Sequence, residues 1–317
     1  MHASVIVVVA VFVGAALQPR VTPVEAGLQP QVTAVAAGLQ SHVTPVEAAL
    51  QPRVTEDRTL PEFKPFADEV RKRWRAARVL QSQYTFIERR EEVKMSALGK
   101  VKEGPVKTYE VYPSPEPGNT YKRLVAVDGK PIPPAELEKN DRVHRENMVA
   151  RMNESPEKKA RRAREDAKDR ADEERAIDEL FQVYDIRIVR RETFEGHPTV
   201  VVTFEPRPAY KAKSDEAKVM KKIRATAWIH ETEYQIVRVD LQAIDNIGFG
   251  LGVIGKVYKG TTAEYRRTKV NGEVWLPVRA RVTARGRALV RKFELDTVTE
   301  WSEYKKFVVK TDEALRQ

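Results

Sequence analysis

The sequence predicts an α+β fold that is mainly β: an antiparallel meander of strands, one amphipathic helix covering it, and one long exposed charged helix. Three observations predict this. From Gln83 onward, segments rich in β-branched and aromatic residues alternate with Gly, Pro, Ser and Asn turn signals. Around Phe66 the apolar residues recur at helical spacing. Residues 157–179 are charged on every side, so they suit a solvated helix and nothing else. The 317 residues are 41% hydrophobic, which supports a core and excludes global disorder. With no cysteine, the chain cannot hold a disulfide framework, a thiolate zinc site, a cysteine nucleophile or a lipid-modified N-terminal cysteine.

Ser4 to Ala16 is an uncharged run of thirteen residues ending in Gly14-Ala15-Ala16. A spanning helix needs about 20 apolar residues, so residues 1–16 read as a signal peptide, with an N-terminal membrane anchor as the alternative. Export to the periplasm or secretion follows. Leu17, Leu28, Leu39 and Leu50 then open successive copies of an eleven-residue unit, LQPRVTPVEAG in its first form. An eleven-residue period suits a right-handed helical supercoil, yet Pro19, Pro23, Pro30, Pro45 and Pro52 would each cost such a helix about 3 kcal/mol. Residues 17–62 are therefore expected to be a disordered linker.

A single β-rich domain is expected over 63–312, with a charged helical insertion at about 134–180. Phe66, Val70, Trp74 and Ala77 give an amphipathic helix from about Pro65 to Gln81, basic on its other face. That helix docks on the sheet or lies on a membrane surface; the narrow stripe favours docking. Strands follow in QYTFIERREEVKM, KTYEVYP and YKRLVAVDGKPI, with a hairpin turn at Asp128-Gly129. In the 23 residues from Glu157 to Glu179, eight are Lys or Arg and nine are Asp or Glu, so the segment's net charge is 8 − 9 = −1 and a nucleic-acid partner is not expected. Strands resume near Gln182: QVYDIRIVRRETF, PTVVVTFEP, KIRATAWIHET, QIVRVDLQAID, TTAEYRRTKV, EVWLPVRARVTA, ALVRKFELDTV and EYKKFVVK, with turns at Glu195-Gly196, Asn271-Gly272 and Arg285-Gly286. Val274, Leu276, Val278, Ala280 and Val282 alternate with Trp275, Pro277, Arg279, Arg281 and Thr283, giving one apolar and one partly cationic face.

The motifs that carry chemistry are missing their context. Gly250 to Gly255 spells GxGxxG, but no βαβ unit surrounds it, so a glycine-rich loop is expected and no nucleotide. His144 lacks the second histidine of HExxH, and His197, before Pro198, is expected to face solvent. His230 with Glu231 or Glu233 lacks a third metal ligand. No GxSxG occurs. No enzyme activity, cofactor or metal is expected.

The helix leading into Tyr84-Thr85-Phe86, then Ala225-Thr226-Ala227-Trp228-Ile229 and Gln235-Ile236-Val237-Arg238-Val239, carry a resemblance. With the glycine-rich crossing and Val274-Trp275-Leu276-Pro277-Val278-Arg279, the chain resembles the LolA/LolB-like lipoprotein carriers over residues 63–310. It departs from them in the Pro-rich repeat and the charged helix. The resemblance implies a curved, incomplete β-barrel whose apolar concavity receives acyl chains. Ile229, Val237, Val239, Leu241, Leu276 and Val278 are then the expected groove residues, and lipid or lipoprotein acyl chains the expected partners. Peripheral membrane contact and an envelope protein held by the charged helix are further expected partners. The alternative is a scaffold that uses the charged helix and the sheet surface, with no small-molecule ligand. A groove open to ligand marks the first, and a filled face the second.

Overall fold

The computed structural model describes residues 59–96, 98, 100–114, 119–249 and 255–307. The expected signal peptide, the repeat up to residue 58 and most of the GxGxxG run lie outside the described residues. The first helix, α1 (Phe63–Gln81), leads into β1 (Tyr84–Met95), β2 (Val101–Tyr112), β3 (Tyr121–Val127) and the short β4 (Lys130–Pro131). Two helices follow, α2 (Pro134–Met152) and α3 (Pro156–Val183), then β5 (Tyr184–Phe194), β6 (His197–Pro206) and α4 (Asp215–Met220). The chain ends in β7 (Ile223–His230), β8 (Ile236–Ala243), β9 (Ile247–Phe249), β10 (Gly255–Val257), β11 (Thr262–Val270), β12 (Val274–Ala288) and β13 (Arg291–Lys306).

All pairings are antiparallel, and the main path runs β4-β3-β2-β1-β13-β12-β11-β8-β7-β6-β5. Because β1 pairs with β13, strands from both sides of the helical segment share one sheet. The edges β4 and β5 do not meet, so the sheet is an incomplete barrel. The connection between those edges is α2 and α3. The 28 residues of α3 reach about 42 Å, a length that suits a strut from one side of a wide sheet to the other.

That strut is exposed along most of its charged length, as its composition requires. Its last turns are anchored, which the composition of 157–179 does not announce. Arg71 on α1 bonds Glu174 at 2.8 Å and Asp178 at 2.9 Å, while Glu179 accepts from Tyr210 and Ser214. Leu180 and Val183 are buried. Ser155 caps the other end, its Oγ accepting the Lys158 N–H ahead of Pro156 at the first helical position.

Three strand details differ from the sequence reading. Gly286 is not a turn: β12 continues to Ala288, and the chain reverses at Leu289, whose φ is 52°. Gly286 serves close approach instead, since a Cβ there would lie 2.3 Å from the Lys256 carbonyl oxygen of β10 and 2.6 Å from the Phe293 ring. The segments ALVRKFELDTV and EYKKFVVK are largely one strand, β13, of 16 residues. The alternation from Val274 to Val282 breaks at a bulge: Arg266 pairs with Arg279 but Arg267 with Pro277, leaving Val278 as the extra residue. Trp275 and Pro277 are buried along with Val274 and Leu276.

Candidate functional site

The β6–β8 part of the sheet is apolar on the face that α1 covers. Val200 and Val202 of β6, Ile223, Ala225, Ala227 and Ile229 of β7, and Val239, Leu241 and Ala243 of β8 form one buried cluster. Phe66 and Val70 of α1, Leu180 and Val183 of α3, and Ala217, Val219 and Met220 of α4 pack into it. Phe66 is only 5% exposed, with its ring 5.4 Å from that of Tyr234. Each large aliphatic residue buried here contributes about 1.5–3 kcal/mol.

Three of the six expected groove residues, Ile229, Val239 and Leu241, lie in this cluster beneath the helices. Val237 is also buried, but it is the extra residue of a bulge, where Trp228 pairs with Arg238 and Ile229 with Ile236, and it is not part of this cluster. Leu276 belongs to a different cluster, with Tyr84 and Val274, against Leu80 at the end of α1. Val278, displaced by the bulge, is half-buried and lines an open cavity. The six do not form one groove. The bulge that separates Val278 from the others has no signature in a run of alternating residues.

Between the apolar cluster and β3 the interior changes character. Glu88 of β1 is 1% exposed and accepts two bonds from Lys122 Nζ at 2.8 and 3.0 Å and one from Trp301 Nε1 at 3.3 Å. Burial lowers the Lys122 pKa, against the pull of Glu88. Nearby, α2 is pinned to β3 by Asp141, which is 1% exposed and accepts from Tyr121 at 2.6 Å and Arg123 at 3.1 Å. His144, one turn on, stacks on Tyr121 with ring centroids 3.9 Å apart, and burial lowers its pKa.

Arg267 is a further buried charge. It is 2% exposed and donates from Nη2 to the Trp275 carbonyl at 2.5 Å, while Nε and Nη1 have no hydrogen-bond partner. Trp74 of α1 lies over it, 5.9 Å from guanidinium carbon to ring centroid, and the Tyr265 hydroxyl is also unpartnered. Arg267 faces inward and Arg266 outward, as consecutive residues of β11 must. None of these buried charges was legible in the sequence, where they sit among dozens of exposed ones.

The opposite face of the sheet is open and polar. Two depressions of about 400 and 470 Å³ lie on it. The smaller is walled by Arg224, Thr226, Asp240, Glu264, Arg281 and Thr283. The larger contains Arg89, Arg266, Arg279, Glu195, Glu300 and Val278. At the hairpin end, His197 does not face solvent as expected: its ring packs edge-on against Trp275 at 4.8 Å, and Trp275 Nε1 bonds Glu233 at 2.8 Å. His230 completes this group, 3.7 Å from Glu233, with its pKa lowered by burial. Among the described residues no three His, Asp or Glu side chains could hold a metal ion together. No described helix is long and apolar enough to cross a membrane.

No family model matches the sequence, and no curated protein matches it. Solved structures do. A structure described as an outer membrane lipoprotein-sorting protein domain from Vibrio parahaemolyticus aligns with 78% of this chain and 92% of its own, at 10% identity and a TM-score of 0.29. A DUF1329 family protein from Desulfovibrio piger aligns with 78% of this chain and 95% of its own, at 13% identity and a TM-score of 0.26. A LolA superfamily protein from Nitrosomonas europaea aligns with 77% of this chain and 94% of its own, at 8% identity and a TM-score of 0.27. These matches include a lipoprotein-sorting protein domain and a LolA superfamily protein, the group that the sequence resembles.

Proposed function

We propose that this chain is a non-enzymatic envelope protein, a carrier or sensor that takes acyl chains on the apolar face of β6, β7 and β8 when α1 moves aside. The observation that supports this reading is the way α1 closes that face. Its Phe66 and Val70 pack, beside α3 and α4, into the cluster that holds the small residues Ala225, Ala227 and Ala243, and the same helix seals Arg267 beneath Trp74. Two nitrogens of that guanidinium, Nε and Nη1, and the Tyr265 hydroxyl have no partner. Each buried unpaired donor costs about 1–3 kcal/mol, so the closed arrangement carries a penalty that opening relieves. Acyl chains need only apolar surface, each buried methylene contributing about 0.8 kcal/mol without directional bonds.

The clamp that opposes opening is Arg71 with Glu174 and Asp178, which ties α1 to the strut. A fluorescent fatty-acid probe therefore tests the reading. Saturable binding is expected, and Arg71→Ala should tighten it while leaving the fold intact. A folded wild-type protein with no saturable binding would overturn the carrier reading. The filled face of the closed form favours what would then remain: a scaffold that recruits an envelope protein through the charged helix and the sheet surface.

A further inference from the structure

Across the open face, residues directly opposite one another run Trp228, Arg238, Arg266, Arg279, Glu300, Arg89 and Thr108, from β7 through β8, β11, β12, β13 and β1 to β2. Three arginines thus occupy consecutive cross-strand positions. Side chains facing each other in this way lie about 4.5–5.5 Å apart at Cβ, and like charges there destabilise the sheet. Two of the three are compensated. Arg238 bonds Asp240 at 2.7 Å and Glu264 at 2.9 Å; Arg266 bonds Glu264 at 2.7 Å and Glu195 at 3.0 Å. Further along the row, Arg89 pairs with Glu300 at 3.3 Å.

Arg279, between them, has no hydrogen-bond or ion-pair partner among the described residues, and its Nε is buried. Asp296, which feels its charge, is already bonded to Arg281 and Thr283. Arg279 lines the 470 Å³ cavity together with Arg89, Arg266, Glu195 and Glu300, a lining of 3 − 2 = +1 charge. Val278, turned by the bulge, supplies apolar wall beside it. Bulges that re-aim a side chain next to a cavity recur at binding sites. Glu300, the acid opposite Arg279, is taken by Arg89.

We propose that this cavity binds an anionic group, a carboxylate or phosphate, which pairs with Arg279, the arginine of the row that bonds no acid. The site lies on the face opposite α1, so it is distinct from the acyl-chain surface proposed above. An anion between Arg279 and its neighbours would make charge-assisted bonds to the unpaired guanidinium. Val278 would lie against the first carbons of any chain attached to it.

The test is isothermal titration of the full chain with inorganic phosphate, octanoate and dodecyl phosphate. Wild-type protein should bind at least one of them saturably. Arg279→Gln should weaken that binding about tenfold or more, equivalent to about 1.4 kcal/mol. Its Tm should stay level or rise, because a like-charged neighbour of Arg266 is removed. Arg285→Gln, an exposed arginine of the same strand paired with Glu294, should leave binding unchanged. Binding of inorganic phosphate identifies a free-anion site, and binding of the two amphiphiles alone identifies a head-group site; both support the proposal. Absence of saturable binding by all three, equal binding by Arg279→Gln, or a lowered Tm in that variant would overturn it.

Discussion

The two halves of the sheet solve the same burial problem with different chemistry. Under α1, α3 and α4 the β6–β8 half buries aliphatic side chains against one another, and every strand contributes to a single cluster. The β1–β3 half, with β13, buries ions and rings: Glu88 with Lys122 and Trp301, and Asp141 with Arg123 and Tyr121. A hydrophobic cluster has no preferred direction, so it tolerates graded losses of volume. An ion pair in the interior fixes geometry, and losing one partner leaves a charge without an answer. The difference teaches that this fold is closed by packing on one side and by polar clasps on the other.

The largest effect that separates the halves is expected at Glu88. Glu88→Ala should cost about 3–5 kcal/mol in urea unfolding, because Lys122 is left buried and unpaired. The double change Glu88→Leu with Lys122→Met should recover most of that loss. Two equal losses would show that the pair holds the half together by more than charge. In the apolar half, Leu241→Ala should cost about 2–5 kcal/mol, with no second substitution that restores it short of refilling the volume.

Gly286→Ala should lose about 1–3 kcal/mol, since the added Cβ meets the Lys256 carbonyl at 2.3 Å and must push the β9–β10 hairpin away. Hydrogen exchange concentrated at β10 would confirm the cause, and unchanged exchange there would refute it. Acid should weaken the polar half first. His144 has a folded pKa held by burial below its unfolded value of about 6.5, so its contribution is complete above pH 6.5 and is lost as pH falls. His230, lowered for the same first reason, adds in the same direction. Tm should fall between pH 7.5 and 5.5, and His144→Phe should flatten that fall; an unaltered slope would clear His144 of any part in it.

The smallest effects belong to the strut. Arg71→Ala, which cuts the clamp to Glu174 and Asp178, should cost no more than about 1 kcal/mol. Arg161→Ala, whose pairing with Glu165 at 3.9 Å is fully on the surface side of α3, should be near zero. A larger loss at Arg161 than at Arg71 would mean that the exposed part of the helix packs after all.

Much of this architecture was legible in the residues. Period-two runs of Val, Ile and Thr can bury only as strands, so β5 to β8 and β11 follow from local pattern. Phe66 and Val70 mark the face by which α1 docks, and the lack of any stripe in 157–179 reads as a solvated helix, which holds up to the anchored turns at Glu174, Asp178 and Glu179. Local pattern reaches no further than nearest neighbours in the chain, and what it left open is long-range. That β1 pairs with β13, that α2 and α3 bridge the two sheet edges, and that Gly286 yields to a crossing strand are matters of which distant segments meet. The bulge at Val278 is of the same kind, because a bulge is a mismatch between two strands and neither strand alone contains it. Composition and alternation determined that this chain would form a half-buried antiparallel sheet with one covering helix. Only the tertiary structure decided which charges among so many became interior, because burial of Glu88, Asp141 and Arg267 depends on partners up to 213 positions away in sequence.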